Sequence, residues 1–162
     1  MNAVSKYEEA EVTDATEKDV VDLMTDKNIV TFYQGRSENG PRALGNRSIL
    51  FDPTFEDGKD YVNLVKDREY FRPFAGSIPS IIHIDGTCRI QTVTEEQNPL
   101  YYKLIKAFKE KTGVPIVFNT SFNLGGDPLV ETIDDAMTTL AKSDIEYMYL
   151  PEHGKLITVK ND

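Results

Sequence analysis

Residues 98–126, NPLYYKLIKAFKEKTGVPIVFNTSFNLGG, run from a capped helix through an apolar strand into a polar, glycine-bearing turn. Asn98 can cap the helix and Pro99 suits its first turn. Leu100, Leu104, Ile105 and Phe108 then fall on one face, and Gly113 ends it. Val114–Phe118 (VPIVF) is a short continuous apolar run, the pattern of a strand buried centrally in a sheet. A polar turn at the carboxyl end of such a strand is a common place for phosphate or nucleotide binding in α/β folds.

Working outward, Thr132 with Asp135 gives a capping-box pattern for another helix, and 145–150 and 156–159 read as closing strands. Upstream, residues 15–26 place Val20, Val21, Leu23 and Met24 on a helical stripe. Residues 28–33 and 47–51 read as strands, 58–67 as a helix, and 71–78, 81–84 and 89–94 as strand-like. The stretch 36–46 is too rich in Gly, Pro and charge for a long element and reads as a structured loop. Strands and helices mixed in this way give an α/β domain with a mixed sheet over 15–162, behind an acidic linker or arm at 1–14.

With 27 Asp plus Glu against 18 Lys plus Arg, the net charge is −9. That balance disfavours nucleic acid and anionic membranes as partners. No apolar run is long enough to cross a bilayer, and the N-terminus lacks the apolar core of a signal peptide. Cys88 is the only cysteine, so no internal disulfide forms and the expected location is cytoplasmic.

Against this acidic background all six arginines fall between residues 36 and 89, beside glycines, prolines and strand ends. A guanidinium fork matches phosphate and carboxylate, so the clustering suggests a pocket for a small, multiply charged anion. Three constellations could form it. In GRSENGPRALGNRS (35–48) the arginines are Arg36, Arg42 and Arg47, and glycines allow close approach of a ligand. The competing explanation is a surface loop whose arginines pair with Glu38 and other acids. In Lys66-x-Arg68-x-x-x-Arg72 the first two could merely cap a helix end. Arg72, among Tyr70, Phe71, Pro73 and Phe74, calls for an anionic partner. In NTSFN (119–123) with Gly125-Gly126, backbone N–H groups and hydroxyls can wrap phosphate oxygens, or the turn can satisfy only itself. His83 with Asp85 reads as a hydrogen-bonded strand end, and with two histidines in the chain no metal site is expected.

Taken in order, QGRSENGPRALGNRSIL (34–50), KDREYFRPFA (66–75), HIDGTCRIQTV (83–93), 98–123 and DPLVETIDDAM (127–137) resemble the C-terminal domain of O-carbamoyltransferases of nodulation-factor, cephamycin and aminoglycoside biosynthesis. The resemblance covers about 28–150. It implies a YrdC-like open, twisted mixed β-sheet flanked by helices, whose Lys-x-Arg and Ser-x-Asn pairs match Lys66-x-Arg68 and Ser121-x-Asn123. It further implies binding of carbamoyl phosphate and ATP, with Mg²⁺, to form carbamoyl adenylate. A separate metal-binding domain of actin-like fold then passes the carbamoyl group to a hydroxyl acceptor. Lys66, Arg72, Arg89 and Ser121 are the expected catalytic residues, and Arg42, Arg47, Arg68, Asn119, Thr120 and Asn123 the expected substrate and nucleotide contacts. The family carries a longer stretch than this chain between its FRPFA-type and HxDGT-type motifs. The alternative function is a nucleotide- or anion-binding regulatory module without turnover.

Overall fold

Six strands in the order β1-β6-β5-β2-β3-β4 form one sheet in the computed structural model, which describes residues 7, 10–39, 42–67 and 90–160. In chain order the elements are β1 (Ala10–Asp14), α1 (Glu17–Thr25), β2 (Val30–Tyr33), β3 (Arg47–Phe51), α2 (Gly58–Val65), α3 (Pro99–Thr112), β4 (Phe118–Ser121), α4 (Ile133–Ala141), β5 (Tyr147–Leu150) and β6 (Lys155–Val159). Among the described strands only β2 and β5 run parallel and the other four pairings are antiparallel, so the sheet is mixed as expected.

Alternation along the strands divides the core in two. Ile49, Phe51 and Phe118 pack on one face with Val62 and Val65 of α2 and Ala136, Met137 and Leu140 of α4. Leu50, Phe32 and Tyr149 pack on the other with Val20, Val21 and Met24 of α1 and Tyr101, Leu104 and Phe108 of α3. An α/β fold results because each helix has one apolar stripe to bury and the sheet offers two faces.

Element ends follow their local chemistry. The Asn98 side chain accepts the N–H of Tyr101 at 3.2 Å, and Gly113 closes α3 at φ 78°. Helix α2 stops at Val65, before the expected 67, because Asp67 turns to φ 49°. Asn28 does not join β2; its Nδ2 donates to the Leu23 carbonyl at 3.0 Å, tying off α1.

Three expectations are corrected. VPIVF is not a central strand: β4 starts at Phe118 and is outermost among the described strands. Pro115 has no N–H to give to a ladder, and Ile116 and Val117 wall a cavity instead. Residues 90–94 form no strand, and Ile90 is 67% exposed. The segment 1–14 is not merely an arm, since its last five residues pair with β6 from Ala10↔Val159 to Asp14↔Lys155. The strands expected at 71–78 and 81–84 lie outside the described residues.

Candidate functional site

The β2–β3 connection is built around two inward-pointing charges. Arg47, the first residue of β3, is 2% exposed. Its Nη1 donates to the carbonyls of Gln34 (2.6 Å) and Asn46 (2.9 Å), and its Nη2 to those of Gly35 (3.2 Å) and Glu131 (3.0 Å). The guanidinium stacks 3.6 Å from the centre of the Tyr33 ring. Burial lowers its pKa, opposed by the Tyr33 and Glu38 charges, while burial raises that of Tyr33. Glu38 accepts three backbone N–H groups, from Leu44, Asn46 (2.9 Å) and Arg47 (3.3 Å). Gln34 completes the frame, donating Nε2 to the Gly45 carbonyl at 2.7 Å and to Asn98 Oδ1 at 2.9 Å. Gly45 sits at φ 97° where a Cβ would come within 2.5 Å of the Tyr101 ring, so the loop lies flat on α3.

The second group is carried by the end of α2 and by β4. Lys66, 1% exposed, donates Nζ to the Ser121 carbonyl at 2.5 Å, Asn123 Oδ1 at 3.1 Å and Ser121 Oγ at 3.4 Å. Ser121 Oγ and Asn123 Oδ1 are 2.7 Å apart, and Asn123 Nδ2 donates to the Asp127 carbonyl at 2.7 Å. Gly125 makes this possible: its N–H reaches the Lys66 carbonyl at 2.7 Å, and a Cβ there would lie 2.5 Å from the Asp67 carbonyl oxygen. The turn after β4 is thus bonded to the main chain that carries Lys66.

Two residues before Ser121, Asn119 borders a cavity of about 440 Å³. Leu44, Tyr101, Ile105 and Val117 give its apolar wall, and Glu38, Asn46, Gln91 and Asn98 its polar one. Asn119 donates Nδ2 to the Ala43 carbonyl at 3.1 Å and to Gln91 Oε1 at 3.4 Å. Its Oδ1 is buried without a hydrogen-bond partner. Burial pushes the Tyr101 hydroxyl pKa well up, so it stays a neutral wall.

Of the expected site residues, Lys66, Ser121 and Asn123 come together, and Asn119 lies on the same strand face as Ser121. Thr120 pairs with Ile49 and so belongs to the opposite face. Arg42 is exposed on the loop. Arg47 is turned inward, and its Nη1 and Nη2 donate to four main-chain carbonyls that frame the loop. Arg68, Arg72 and Arg89, with His83 and Asp85, lie outside the described residues. Glu38 bonds backbone donors, and its charge also acts on Arg47. Among the described residues no group of three or more His, Cys, Asp or Glu could hold a metal ion, and no helix is long and apolar enough to cross a membrane.

Residues 21–79 and 76–155 match the family described as Carbamoyltransferase C-terminus. The chain is similar to nodulation protein NolO of Bradyrhizobium diazoefficiens, 37% identical over 182 positions, covering 90% of this chain and 33% of that protein. Nodulation protein NolNO of Sinorhizobium fredii is 37% identical over 174 positions, 85% of this chain and 26% of its own length. The 3'-hydroxymethylcephem-O-carbamoyltransferase of Streptomyces clavuligerus is 31% identical over 150 positions, 74% and 29% respectively. The chain therefore spans a third or less of the length of these relatives. The two family matches meet at 76–79, inside the interval where the family was expected to carry a longer stretch.

Proposed function

The chain belongs to the carbamoyltransferase C-terminal family, and from that premise we propose that it binds carbamoyl phosphate and ATP and forms carbamoyl adenylate. Transfer to a hydroxyl acceptor then falls to a metal-binding domain of actin-like fold, in the part of the relatives that this chain does not span. The observation that carries the reading is the contact of Lys66 with Ser121 and Asn123. A buried amine anchored by a hydroxyl, a carbonyl and an amide oxygen puts positive charge at the turn after β4, where it would favour a nearby phosphate. The partly apolar cavity one strand step away, at Asn119, suits the neutral part of the same ligand.

No side-chain nucleophile is needed for this chemistry. Carbamoyl phosphate first loses its phosphate to water, leaving carbamate; a carbamate oxygen then attacks the α-phosphorus of ATP and expels pyrophosphate, while the protein aligns the reactants and neutralises charge that builds on the phosphate oxygens. Lys66 takes that electrostatic role, Ser121 and Asn123 orient it, and Arg42 adds an exposed cation. Arg68, Arg72 and Arg89 are proposed as further phosphate contacts from the family pattern. Mg²⁺ is expected to arrive with ATP, held mainly by the phosphates.

Exchange of labelled pyrophosphate into ATP tests the reading. The full chain is expected to exchange only when carbamoyl phosphate is present, and Lys66→Met to lose at least about 100-fold of that rate. No alcohol is expected to be carbamoylated until the rest of a relative is supplied in trans. Anion binding without exchange would replace this reading with the regulatory module. Exchange that ignores Lys66→Met would remove the amine from the chemistry.

A further inference from the structure

The turn after β4 is fastened from outside. From Ser121 the chain loops away and returns at Glu131, and both ends of that loop are tied to the facing ends of β2 and β3. The Phe122 N–H donates to the Arg47 carbonyl at 2.9 Å, and the Phe122 carbonyl accepts the Val130 N–H at 3.0 Å. One residue further, the Glu131 carbonyl accepts two side chains, Arg47 Nη2 at 3.0 Å and the Tyr33 hydroxyl at 3.1 Å. Tyr33 and Arg47 are cross-strand partners, with the guanidinium 3.6 Å from the centre of the ring.

The oxygens that hold the Lys66 amine lie on the segment so closed, at Ser121 and Asn123. Asn123 is itself tied further along it, to the Asp127 carbonyl at 2.7 Å. One end of the segment is fixed by the ladder of β4 with β3. The other is fixed at Glu131 by side chains. Phenylalanine at position 33 would keep the ring beside Arg47 and remove only the hydroxyl tie.

We infer that Tyr33 is a positioning residue for Lys66: with Arg47 it clasps the Glu131 carbonyl and so holds the segment 121–131, whose oxygens seat the amine. The inference rests on the adenylate-forming reading above and gives Tyr33 no contact with substrate. A charge that stabilises a transition state acts only where it is held, so slack in its seat costs rate.

Deuterium uptake and pyrophosphate exchange are measured on the full chain for wild type, Tyr33→Phe and Tyr149→Phe. Tyr149 serves as the control, because its hydroxyl meets Glu17 and its ring packs in the core on the other face of the sheet. In Tyr33→Phe, uptake at the Gly125 and Val130 amides is expected to quicken about fivefold, the worth of one hydrogen bond. Gly113, at the end of α3, is expected to keep its rate. Pyrophosphate exchange at saturating substrate is expected to fall about tenfold. Tyr149→Phe is expected to change neither the local uptake nor the exchange. Unchanged uptake at Gly125 and Val130, uptake that quickens evenly through the domain, or faster local uptake with wild-type exchange overturns the inference. Wild type without pyrophosphate exchange overturns the underlying reading and this inference with it; quickened local uptake in Tyr33→Phe would then mark the clasp as a brace for the fold alone. If Tyr33→Phe does not fold, wild type carries the test. Pyrophosphate at about ten times its dissociation constant is expected to slow uptake at Gly125 and Val130 about tenfold, and amides left unprotected there overturn the inference.

Discussion

Arg47 and Lys66 are both buried cations, but their surroundings give them different tasks. Arg47 spends its fork on four main-chain carbonyls and a tyrosine face, a use open to a planar guanidinium and not to an ammonium. Lys66 presents a point charge to side-chain and main-chain oxygens of the turn after β4. What keeps it there is the absent side chain of Gly125. In Gly125→Ala the new methyl would stand 2.5 Å from the Asp67 carbonyl and 3.0 Å from that of Lys66. Both obstacles are backbone, so the turn must lift. We expect a loss of about 1–3 kcal/mol, read as a melting temperature lower by roughly 2–4 °C per kcal/mol, together with weaker pyrophosphate binding. By contrast Gly113→Asn, at φ 78° with nothing within 4 Å, meets no steric obstacle and should leave binding untouched. Equal binding by Gly125→Ala and wild type would show that the turn does not govern Lys66. In the sequence Arg36, Arg42 and Arg47 look alike. Only the strand start at Arg47 and its carbonyl neighbours separate a framing arginine from exposed ones, and those neighbours include Glu131, which no local pattern brings near. Glu38 was visible as a charge, but its three backbone donors were not, because a carboxylate serving main-chain N–H groups leaves no signature in spacing.

Helices were the most legible elements because their start and stop signals are local. Thr132 is a full example: Asp135 Oδ2 accepts the Thr132 N–H and hydroxyl at 2.8 Å each, and Thr132 Oγ1 accepts the Asp135 N–H at 3.2 Å. The same reach-back occurs at α1, where the Thr16 N–H meets Asp19 at 2.7 Å. These bonds favour the ionised carboxyls and lower both pKa values, at Asp135 chiefly through the Thr132 backbone and at Asp19 through the Thr16 hydroxyl. A carboxyl held lower in the fold than in the unfolded chain stabilises above its ordinary range, and that contribution fades as pH falls through and below it. Asp135→Asn should therefore melt below wild type at neutral pH and converge with it in acid, below the normal aspartate range. A gap that persists or widens in acid denaturation would refute the capping account. Strands were read well where both neighbours are other strands, as at β2 and β3. Residues 114–117 misled because the same apolar letters serve a ladder and a cavity wall. The stretch 90–94 misled because its alternation is not matched by a partner strand among the described residues.

At the scale of the molecule, the contact on which the proposed function rests joins residues 55 apart, Lys66 and Ser121, across a helix end and an outer strand. Charge and turn chemistry flagged both regions, but nothing local pairs them; the pairing was legible only through the family's Lys-x-Arg and Ser-x-Asn pattern. Sheet order was likewise beyond reach, because it depends on which strands lie together after long crossovers. That order has a practical consequence at the border farthest from Lys66. Strand β6 is hydrogen-bonded on one side to β5 and on the other to Ala10–Asp14. Trimming the chain to begin at Ala15 would bare the outer N–H and C=O groups of KLITV (155–159), a ready template for another copy of itself. In sedimentation at matched concentrations, the trimmed protein is expected to form larger species than the full chain. Identical sedimentation would mean that β6 tolerates the exposure. The few residues ahead of α1 thus act as a guard against self-association, and a domain boundary drawn by composition alone would cut that guard away.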